Sequence, residues 1–349
     1  MRSPRAPKLA PGAGFPALSG RGSGDAGAPE RGVRDTAGVR AGTEAESEQA
    51  ANAGDPLADA AGAVHAPDVL RERLLAWACP RLRDLPWRRT RDPWRVLVAE
   101  VMLQQTGVSR VLERYDDFCD RYPTPAACAA APAGAVIEAW RGLGYNRRAL
   151  HLHAAARRIA EADGCFPDDL DGLLALPGVG SYTARAVLAL AFERDTGVVD
   201  TNVGRLLARL GGCPLTRAEA QRAADRLVPA GQAWVWNQAL FDLGAGVCTR
   251  RAPTCATCPL RTHCAWRGHG PDPADNSAGV SAGQSRFEGS DRQCRGRLVE
   301  ALRSGPQPAA AAASLMGLED DPSRARRIVA SLRRDGLVVD REGALQLPV

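Results

Sequence analysis

The chain has 349 residues, with 45 lysine and arginine against 40 aspartate and glutamate residues, a formal net charge of +5 and a hydrophobic fraction of 45%. This length predicts two domains, and the apolar fraction is sufficient for a packed core. No uninterrupted apolar run reaches the roughly 18 residues that a membrane span needs, which excludes a transmembrane protein. No apolar segment follows the basic N-terminus, so we expect no secretory signal.

The basic residues are almost all arginine, because Lys8 is the only lysine. A Schiff base needs a lysine ε-amine, so covalent catalysis by lysine is excluded from the chain beyond that position. The modest positive charge allows an acidic polymer as partner but does not require one.

Composition divides the chain into four parts. Residues 1–65 are rich in alanine, glycine, proline, arginine and glutamate and lack an apolar period, which predicts a disordered leader. Helical periodicity with almost no alternating β-branched runs predicts an all-α domain over 66–267. Residues 268–284 form a polar linker rich in glycine, proline and serine, and a small C-terminal module follows over 285–349.

Apolar residues recur at helical spacing from Val69 onward, and one long face is predicted to run from Val108 to Phe118. Further helical candidates are 133–141, 147–162, 183–193, 202–210, 216–228 and 232–243. The C-terminal module shows helical patterns at 292–303 and near 322–334, followed by two short strand patterns at 336–340 and 344–347. This order predicts a small winged-helix-like unit.

Four of the ten cysteines crowd into one loop over 248–264, with the spacing C-x6-C-x2-C-x5-C. Four soft thiolates in one loop can surround a single metal centre, and they suit a [4Fe–4S] cluster. A zinc ribbon would more often use two CxxC pairs, although zinc stays open as an alternative. The 6-2-5 spacing resembles the cluster loop of the endonuclease III and MutY group of DNA glycosylases, which implies a [4Fe–4S] cluster. Its ligands would be Cys248, Cys255, Cys258 and Cys264.

A Leu-Pro-Gly-Val-Gly turn joins two helical patterns within 173–192. Gly178 and Gly180 permit a tight turn whose amides, with the start of the next helix, can bind an anion. The segment Gly178-Val179-Gly180 looks like the helix-hairpin-helix motif that binds a DNA phosphate, although an ordinary helix–helix turn would have a similar sequence. Asp200 follows an apolar pair and precedes a helical pattern, which is typical of an N-cap.

Glu100 lies inside an apolar stretch that runs from Val96 to Leu103. A glutamate there should be desolvated, which favours its protonated form and suits a general acid. A position on a helix surface beside the core is the simpler alternative. The surrounding sequence Glu-Val-Met-Leu-Gln-Gln-Thr over 100–106 closely resembles a motif of the MutY-type adenine DNA glycosylases. Gly-Leu-Gly-Tyr at 142–145 and the hairpin follow in the order of that family.

The resemblance covers 66–267 and implies the all-α helix-hairpin-helix fold of a monofunctional glycosylase that removes adenine mispaired with 8-oxoguanine or guanine. It implies that Glu100 is the general acid that protonates adenine at N7. It also implies that Asp200 stabilises the oxocarbenium-like sugar, as one carboxylate of the pair does in glycoside hydrolases. Tyr182 and Asn202 would support the reacting sugar and the catalytic pair.

The resemblance also implies how DNA is held. The adenine would leave the base stack, and the wall of its pocket would include Leu85, Trp87 and Arg88. Gln105 and Thr106 would enter the helix near the opposing base. Tyr145 would act as an aromatic wedge, for which a buried core tyrosine is the alternative.

Tyr182 distinguishes branches of this superfamily. Endonuclease III-like enzymes carry a lysine at the matching position and cut the backbone through a Schiff base, whereas tyrosine implies a glycosylase without strand cleavage. Thymine glycosylases that act on G·T mismatches also carry tyrosine, so they are the main alternative. A non-catalytic DNA-binding protein of the same fold is a second alternative.

The C-terminal module is shorter than the Nudix-like domain that typical family members use to bind 8-oxoguanine. The expected partner is double-stranded DNA with an A·8-oxoG or A·G mispair. We further expect a monomer without membrane contact, located in the cytoplasm and, in a bacterium, at the nucleoid.

Overall fold

The computed structural model describes residues 67–277 and 286–349. The predicted leader over 1–65 and residues 278–284 of the predicted linker lie outside these described residues. In the described part, no helix combines the length and the apolar composition that a membrane crossing requires.

Short and medium-length helices build the part of the chain before residue 277. They are α1 Pro67–Ala78, α2 Pro93–Leu103, α3 Val108–Leu112, α4 Tyr115–Arg121, α5 Pro125–Ala129, α6 Ala133–Ala139, α7 Arg147–Glu161, α8 Leu170–Leu174, α9 Ser181–Leu190, α10 Thr201–Gly211, α11 Arg217–Leu227 and α12 Ala233–Gly246. Single 3₁₀ turns occur at Pro86–Arg88, Cys255–Thr257, Arg261–His263 and Pro273–Asn276.

The helices that carry the candidate site begin at residues with clear start signals. Asp92 accepts a hydrogen bond from the Trp94 amide at 2.9 Å, and Pro93 occupies the first position of α2, where its missing N–H costs nothing. This Asp-Pro pair could have predicted α2, which periodicity alone did not single out. Asp200 caps α10 in the same way, by accepting from the amides of Asn202 and Val203 at 2.9 and 2.7 Å.

The prediction of one continuous helical face from Val108 to Phe118 is wrong. The chain turns between α3 and α4, where Arg114 has φ −131° and ψ −21°. Leu112, predicted on the buried face, is 41% exposed, whereas Tyr115 and Phe118 are buried. Apolar spacing survives such a turn, because the packing of two short helices satisfies the same pattern as one longer helix.

The core is mostly aliphatic, with three large indoles at its centre. Trp94, Trp140 and Trp236 are buried, and Phe118 meets Trp140 edge-on at 5.7 Å between ring centroids. These helices pack against one another without a sheet over 67–277. The all-α prediction for this region is therefore confirmed.

The C-terminal region combines helices with a small antiparallel sheet. It contains α13 Asp291–Arg303, β1 Gln307–Pro308, a 3₁₀ turn at Ala309–Ala311, α14 Ala312–Met316, α15 Pro322–Arg334, β2 Val339–Arg341 and β3 Ala344–Gln346. The strand order is β1-β3-β2, with Gln307 opposite Leu345 and Val339 opposite Gln346. Both predicted strands are present, and β1 was missed because it is only two residues long. The winged-helix-like assignment stays a prediction.

This C-terminal region packs directly on α6 and the loop after it. The Gly134 amide donates to the carbonyl oxygen of Pro348 at 2.7 Å. Arg303 is inserted between the two parts and donates to the carbonyl oxygen of Ile137 at 3.0 Å. The position of α13 is therefore set by contacts with the first part of the chain.

Candidate active site

A cleft of about 980 Å³ opens between α2, α9 and the start of α10. It brings together nine of the residues predicted from the sequence, which lie up to 117 positions apart in the numbering of the chain. They are Leu85, Trp87, Arg88, Glu100, Gln105, Thr106, Tyr182, Asp200 and Asn202. Tyr145, the hairpin and the cysteines lie outside this cleft. Gln238, a buried residue that sequence analysis did not single out, also lines it.

Glu100 lies in the third turn of α2 and is only 4% exposed. Burial raises the pKa of its carboxyl group to about 7, and the negative charge of Asp200 adds to the rise. A hydrogen bond with Tyr182 and the charge of Arg88 act in the opposite direction. Glu100 therefore keeps a proton through much of the neutral range, as a general acid requires.

The second oxygen of this carboxyl group is buried without a protein partner. Among the described residues, no group donates to or accepts from Glu100 Oε2. A buried polar atom without a partner is costly, so such an atom beside a cleft is a candidate for contact with a ligand.

Tyr182 interacts with both carboxyl groups, by a hydrogen bond with Glu100 and through the charge of Asp200. It lies in the first turn of α9, and its hydroxyl is hydrogen-bonded to Glu100. Burial, together with the charges of Glu100 and Asp200, raises the pKa of Tyr182 above its ordinary value. The phenol thus stays protonated and can donate a hydrogen bond within the site.

Asp200 is both a helix cap and a wall of the cleft. One oxygen, Oδ1, accepts from the two amides at the start of α10, while Oδ2 accepts from the Asn202 side-chain amide at 2.9 Å. Asn202 is itself held by Arg205, which donates to Asn202 Oδ1 at 2.9 Å. These bonds hold the half-buried carboxylate in one orientation, with its negative charge beside the cleft.

The predicted pocket wall is supported by an ion pair that was not predicted from the sequence. Arg88 donates to both carboxylate oxygens of Asp242, at 2.8 and 2.9 Å, and Arg83 donates to the same carboxylate at 2.7 Å. Burial alone would raise the pKa of Asp242, but the hydrogen bonds from the two arginines hold it below its ordinary value. Leu85 and Trp87, both buried, complete the wall.

The hairpin turn has the shape that the two glycines predict. Gly178 has φ +76°, and a Cβ atom there would lie 2.5 Å from the Cβ of His151, so glycine is required on both grounds. The Val179 amide donates to the Leu176 carbonyl oxygen at 3.1 Å, and its side chain is buried. The Val179 amide is thus used within the turn, so it is not among the amides that are available to an anion.

Gln105 and Thr106 follow α2 on a strained turn. Gln105 is exposed with φ +56°, a conformation that is uncommon outside glycine and that tends to occur at functional sites. Thr106 Oγ1 donates to the Leu143 carbonyl oxygen at 3.1 Å. Tyr145, with φ +46° and 36% exposure, lies across a neighbouring cleft and is not a core tyrosine.

Arg148 donates hydrogen bonds to both of these loops, and no feature of the sequence predicted this role. Its guanidinium makes six hydrogen bonds, and burial lowers its pKa to about 10. The acceptors are the carbonyl oxygens of Val101, Met102, Gln104, Leu143 and Gly144 and the hydroxyl of Thr106. The helix that carries Glu100 is thereby connected to the loop that carries Tyr145.

The four cysteines of 248–264 are half-buried and line one small cavity of about 30 Å³. Burial raises the pKa of Cys258 to about 11, with further contributions from the other three thiols. Four thiolates there would need a cationic centre to offset their repulsion. Among the described residues, no three His, Cys, Asp or Glu side chains are close enough to hold a single metal ion. Four cysteine thiols around one cavity are the donor set that a [4Fe–4S] cluster would use.

The helix α10 runs from the cleft to the cysteine loop. Asp200 caps its start, and Arg205 donates to the Cys248 carbonyl oxygen at 2.9 Å. In its last turn the buried Arg209 donates to the Thr249 carbonyl oxygen at 2.8 Å and to Asp272. The loop is therefore attached to the helix that orients the carboxylate.

Comparison with protein families agrees with this geometry. Residues 98–230 match the family model described as HhH-GPD superfamily base excision DNA repair protein. The chain is 43% identical over 276 residues to the adenine DNA glycosylase of Mycolicibacterium smegmatis, an alignment that covers 76% of this chain and 91% of that relative.

Two solved structures show the same fold. The structure of a thermostable thymine-DNA glycosylase has a TM-score of 0.54 and 30% identity, and the alignment covers 58% of this chain and 96% of that one. The structure of a trapped endonuclease III–DNA covalent intermediate has a TM-score of 0.50 and 26% identity, over 58% of this chain and 97% of that one. The helical helix-hairpin-helix fold is therefore confirmed.

Proposed function

The chain belongs to the adenine DNA glycosylase family, and from that premise we propose that the adenine it removes is paired with 8-oxoguanine or guanine. It is an N-glycosylase of base excision repair and acts on DNA. The finer assignments concern the mispair, the residues that carry the reaction and the cofactor.

One observation carries the assignment of the reaction. Glu100 and Asp200 line the same cleft; burial raises the pKa of Glu100 to about 7, so about half of it is protonated at neutral pH, whereas Asp200 is oriented by its role as the cap of α10. Two carboxyl groups in such different environments can divide the roles of acid and charge stabiliser. The partnerless Glu100 Oε2 supplies the contact through which a proton would reach the base.

The reaction then follows from these positions. Glu100 protonates adenine N7, so that the base leaves as neutral adenine and the bonding electron pair goes with it. The sugar is left with oxocarbenium character, which the negative charge of Asp200 stabilises. Tyr182 orients the two carboxyl groups relative to each other, and Asn202 holds Asp200. One water molecule completes the hydrolysis at the sugar.

The same cleft supplies the binding groups. Leu85, Trp87 and the Arg88–Asp242 pair form the wall against which the flipped adenine would pack. Gln105 and Thr106, at the rim, would enter the duplex beside the opposing base, and Tyr145 would stack as the wedge. The hairpin would contact a phosphate through Gly178 and Gly180, because the Val179 amide is used within the turn.

The cysteines would hold a [4Fe–4S] cluster through Cys248, Cys255, Cys258 and Cys264. When bound, the cluster supplies a rigid cross-link for a loop that also displays arginines. The loop is joined to α10 by Arg205 and Arg209. We expect the enzyme to act as a cytoplasmic monomer on double-stranded DNA.

The test is single-turnover cleavage of duplexes with one A·8-oxoG, A·G or T·G pair, with and without alkali, using the full chain and Glu100→Gln as matched control. Breaks on the adenine strand only after alkali, and none with the variant, would support the proposal. Thymine release from T·G with adenine untouched would favour a thymine glycosylase. Release of neither base, with tight DNA binding, would favour a non-catalytic protein.

A further inference from the structure

A second cleft, of about 970 Å³, lies between the first part of the chain and the C-terminal region. Gln104 and Gln105 line both clefts, so the second begins where the first ends. Six arginines line it, together with Glu300 and Asp335, and Tyr145 lies there beside residues of α13. The arginines that line it are Arg110, Arg147, Arg148, Arg292, Arg295 and Arg303.

Tyr145 is held in this cleft by groups from two sides of the chain. Its backbone is in the left-handed region, after Gly142 at φ +84° and Gly144 at φ +69°. The guanidinium carbon of Arg148 lies 5.6 Å from the centroid of the tyrosine ring. An exposed ring on a strained loop would otherwise sample several rotamers, and ordering it has an entropic cost.

Arg292 makes the contact from the C-terminal side. Its Nη1 donates to the Tyr145 hydroxyl at 2.7 Å, and its guanidinium carbon lies 5.6 Å from the Tyr145 ring centroid. The same guanidinium carbon also lies 5.1 Å from the ring centroid of Phe287. One guanidinium thus contacts both the hydroxyl and the ring of Tyr145.

The helix that carries Arg292 is fixed at both ends. At its start, Asp291 accepts from Arg324 and Arg327 of α15 at 2.7 and 2.9 Å. At its end, the buried Arg303 donates to the Ile137 carbonyl oxygen. The contact with Tyr145 is therefore made from a rigid support, as precise positioning requires.

We propose that Arg292 is a positioning residue that holds the Tyr145 ring in the orientation in which it meets DNA, so that the C-terminal region acts on adenine removal through the wedge. This inference rests on the proposed role of Tyr145. A wedge held before the duplex arrives lowers the barrier to extrusion of the adenine, because less ordering remains to be done on binding.

The test is a double-mutant cycle with Arg292→Ala and Tyr145→Ala in the full chain, measured on an A·G duplex. Arg292→Ala should lower the single-turnover rate constant by about tenfold while changing the Kd for DNA little. In the Tyr145→Ala background the same substitution should have no further effect. Arg292→Lys, which keeps the charge but loses the planar contact, should restore little of the rate.

Arg333→Ala is the matched control, because it removes one exposed arginine of the same region that pairs with Asp340 at 3.5 Å. It should leave both the rate constant and the Kd unchanged. If Arg292→Ala prevents folding, Tyr145→Phe, which removes only the hydroxyl contact, should show the same direction of effect. An effect of Arg292→Ala that is equal in both backgrounds would overturn the proposal. If Arg292→Ala instead weakened DNA binding and reduced the slope of log K against log salt concentration by about one, Arg292 would be a phosphate contact.

A second readout separates this inference from the proposed function. 2-Aminopurine placed beside the target adenine becomes fluorescent when its stacking is disrupted, without any cleavage. If the wild-type chain released no adenine, the proposed function would fail. The positioning of Tyr145 by Arg292 would still stand if the fluorescence change on binding depended on Arg292 only when Tyr145 is present, and it would fall if the two residues acted independently.

Discussion

Glu100 depends on its surroundings for its chemistry. A glutamate in water would be ionised near neutral pH and could not donate a proton, whereas burial raises the pKa of this one to about 7. The hydrogen bond to Tyr182 limits that rise. The side chain is therefore held where it can be protonated before the reaction and ionised after it.

The pH dependence of adenine release should report this pKa. Because the protonated form is the active one, the single-turnover rate constant should be high below pH 7 and fall above it, by roughly tenfold per pH unit. The measurement is a series of single-turnover reactions from pH 5.5 to pH 9, a range that brackets the value of about 7. Glu100→Gln should be slower at every pH and lose this descending limb. A wild-type rate that stays level above pH 8 would contradict the role of Glu100 as acid.

Asp200 combines structural and chemical roles that substitution can separate. Asparagine caps helices as well as aspartate does, so Asp200→Asn should keep the fold while the rate constant falls by about 10²-fold or more, because the stabilising charge is lost. Asp200→Ala should lose about 1 kcal/mol of unfolding free energy in addition. Urea unfolding and single-turnover assays of both variants are the measurement. An active Asp200→Asn variant would show that the charge is not needed.

At the scale of the elements, Arg148 connects α2 to the loop of Tyr145. Helix α2 ends at Leu103, and the last carbonyl groups of a helix have no partner within it. Arg148 donates to two of them, those of Val101 and Met102, to the carbonyl group of the C-cap residue Gln104, and to two carbonyl groups of the other loop. A single side chain thus fixes the position of the helix that carries Glu100 relative to the loop that carries Tyr145.

Arg148→Ala should therefore destabilise the protein and impair the reaction together. Several buried carbonyl groups would lose their donor, so the unfolding free energy should fall by about 3 kcal/mol or more. Arg158→Ala, at an exposed position of the same helix α7, should change it by less than about 0.5 kcal/mol. Denaturant unfolding of both variants measures the difference. Equal stability of the two variants would mean that other groups or water replace Arg148.

At the scale of the whole molecule, two sets of contacts outside the cleft join segments that are distant in the sequence. The cysteine loop is attached to α10 by Arg205 and Arg209, and the C-terminal region is attached to α6 by Arg303 and the last residues. Both attachments use buried arginines that donate to backbone carbonyl groups. The position of α10, which carries Asp200 at its start, thus depends on contacts outside the cleft.

Loss of one cysteine ligand should weaken the attachment of the cysteine loop to α10. Cys258→Ser should lower the iron content of the purified protein, remove its visible absorption and lower the melting temperature, since four thiolates hold the proposed cluster. Cys165→Ser, which removes an exposed cysteine outside the loop, is the matched control and should change none of these. Iron analysis and thermal melting are the measurements. Full iron content in Cys258→Ser would exclude this residue as a ligand.

The apolar pattern around Glu100 and the residues that begin α9 and α10 were enough to predict a buried acid, a hairpin and a capped aspartate. These features are local, because periodicity, glycine conformation and capping each depend on residues a few positions apart. The prediction of a continuous helical face over Val108–Phe118 was wrong for the same reason, because local spacing does not indicate where the chain turns.

What the sequence by itself determined is which groups are available for the proposed chemistry: an acid in an apolar helix, a carboxylate after the hairpin, and four clustered cysteines without a usable lysine. Only the tertiary structure decided how these groups are held. The Arg88–Asp242 pair, the Arg148 contacts and the Arg292–Tyr145 contact join residues that are up to 154 positions apart. Such contacts depend on which helix surfaces pack together, and an arginine that will be buried by packing has no local pattern that distinguishes it from the many that stay in solvent.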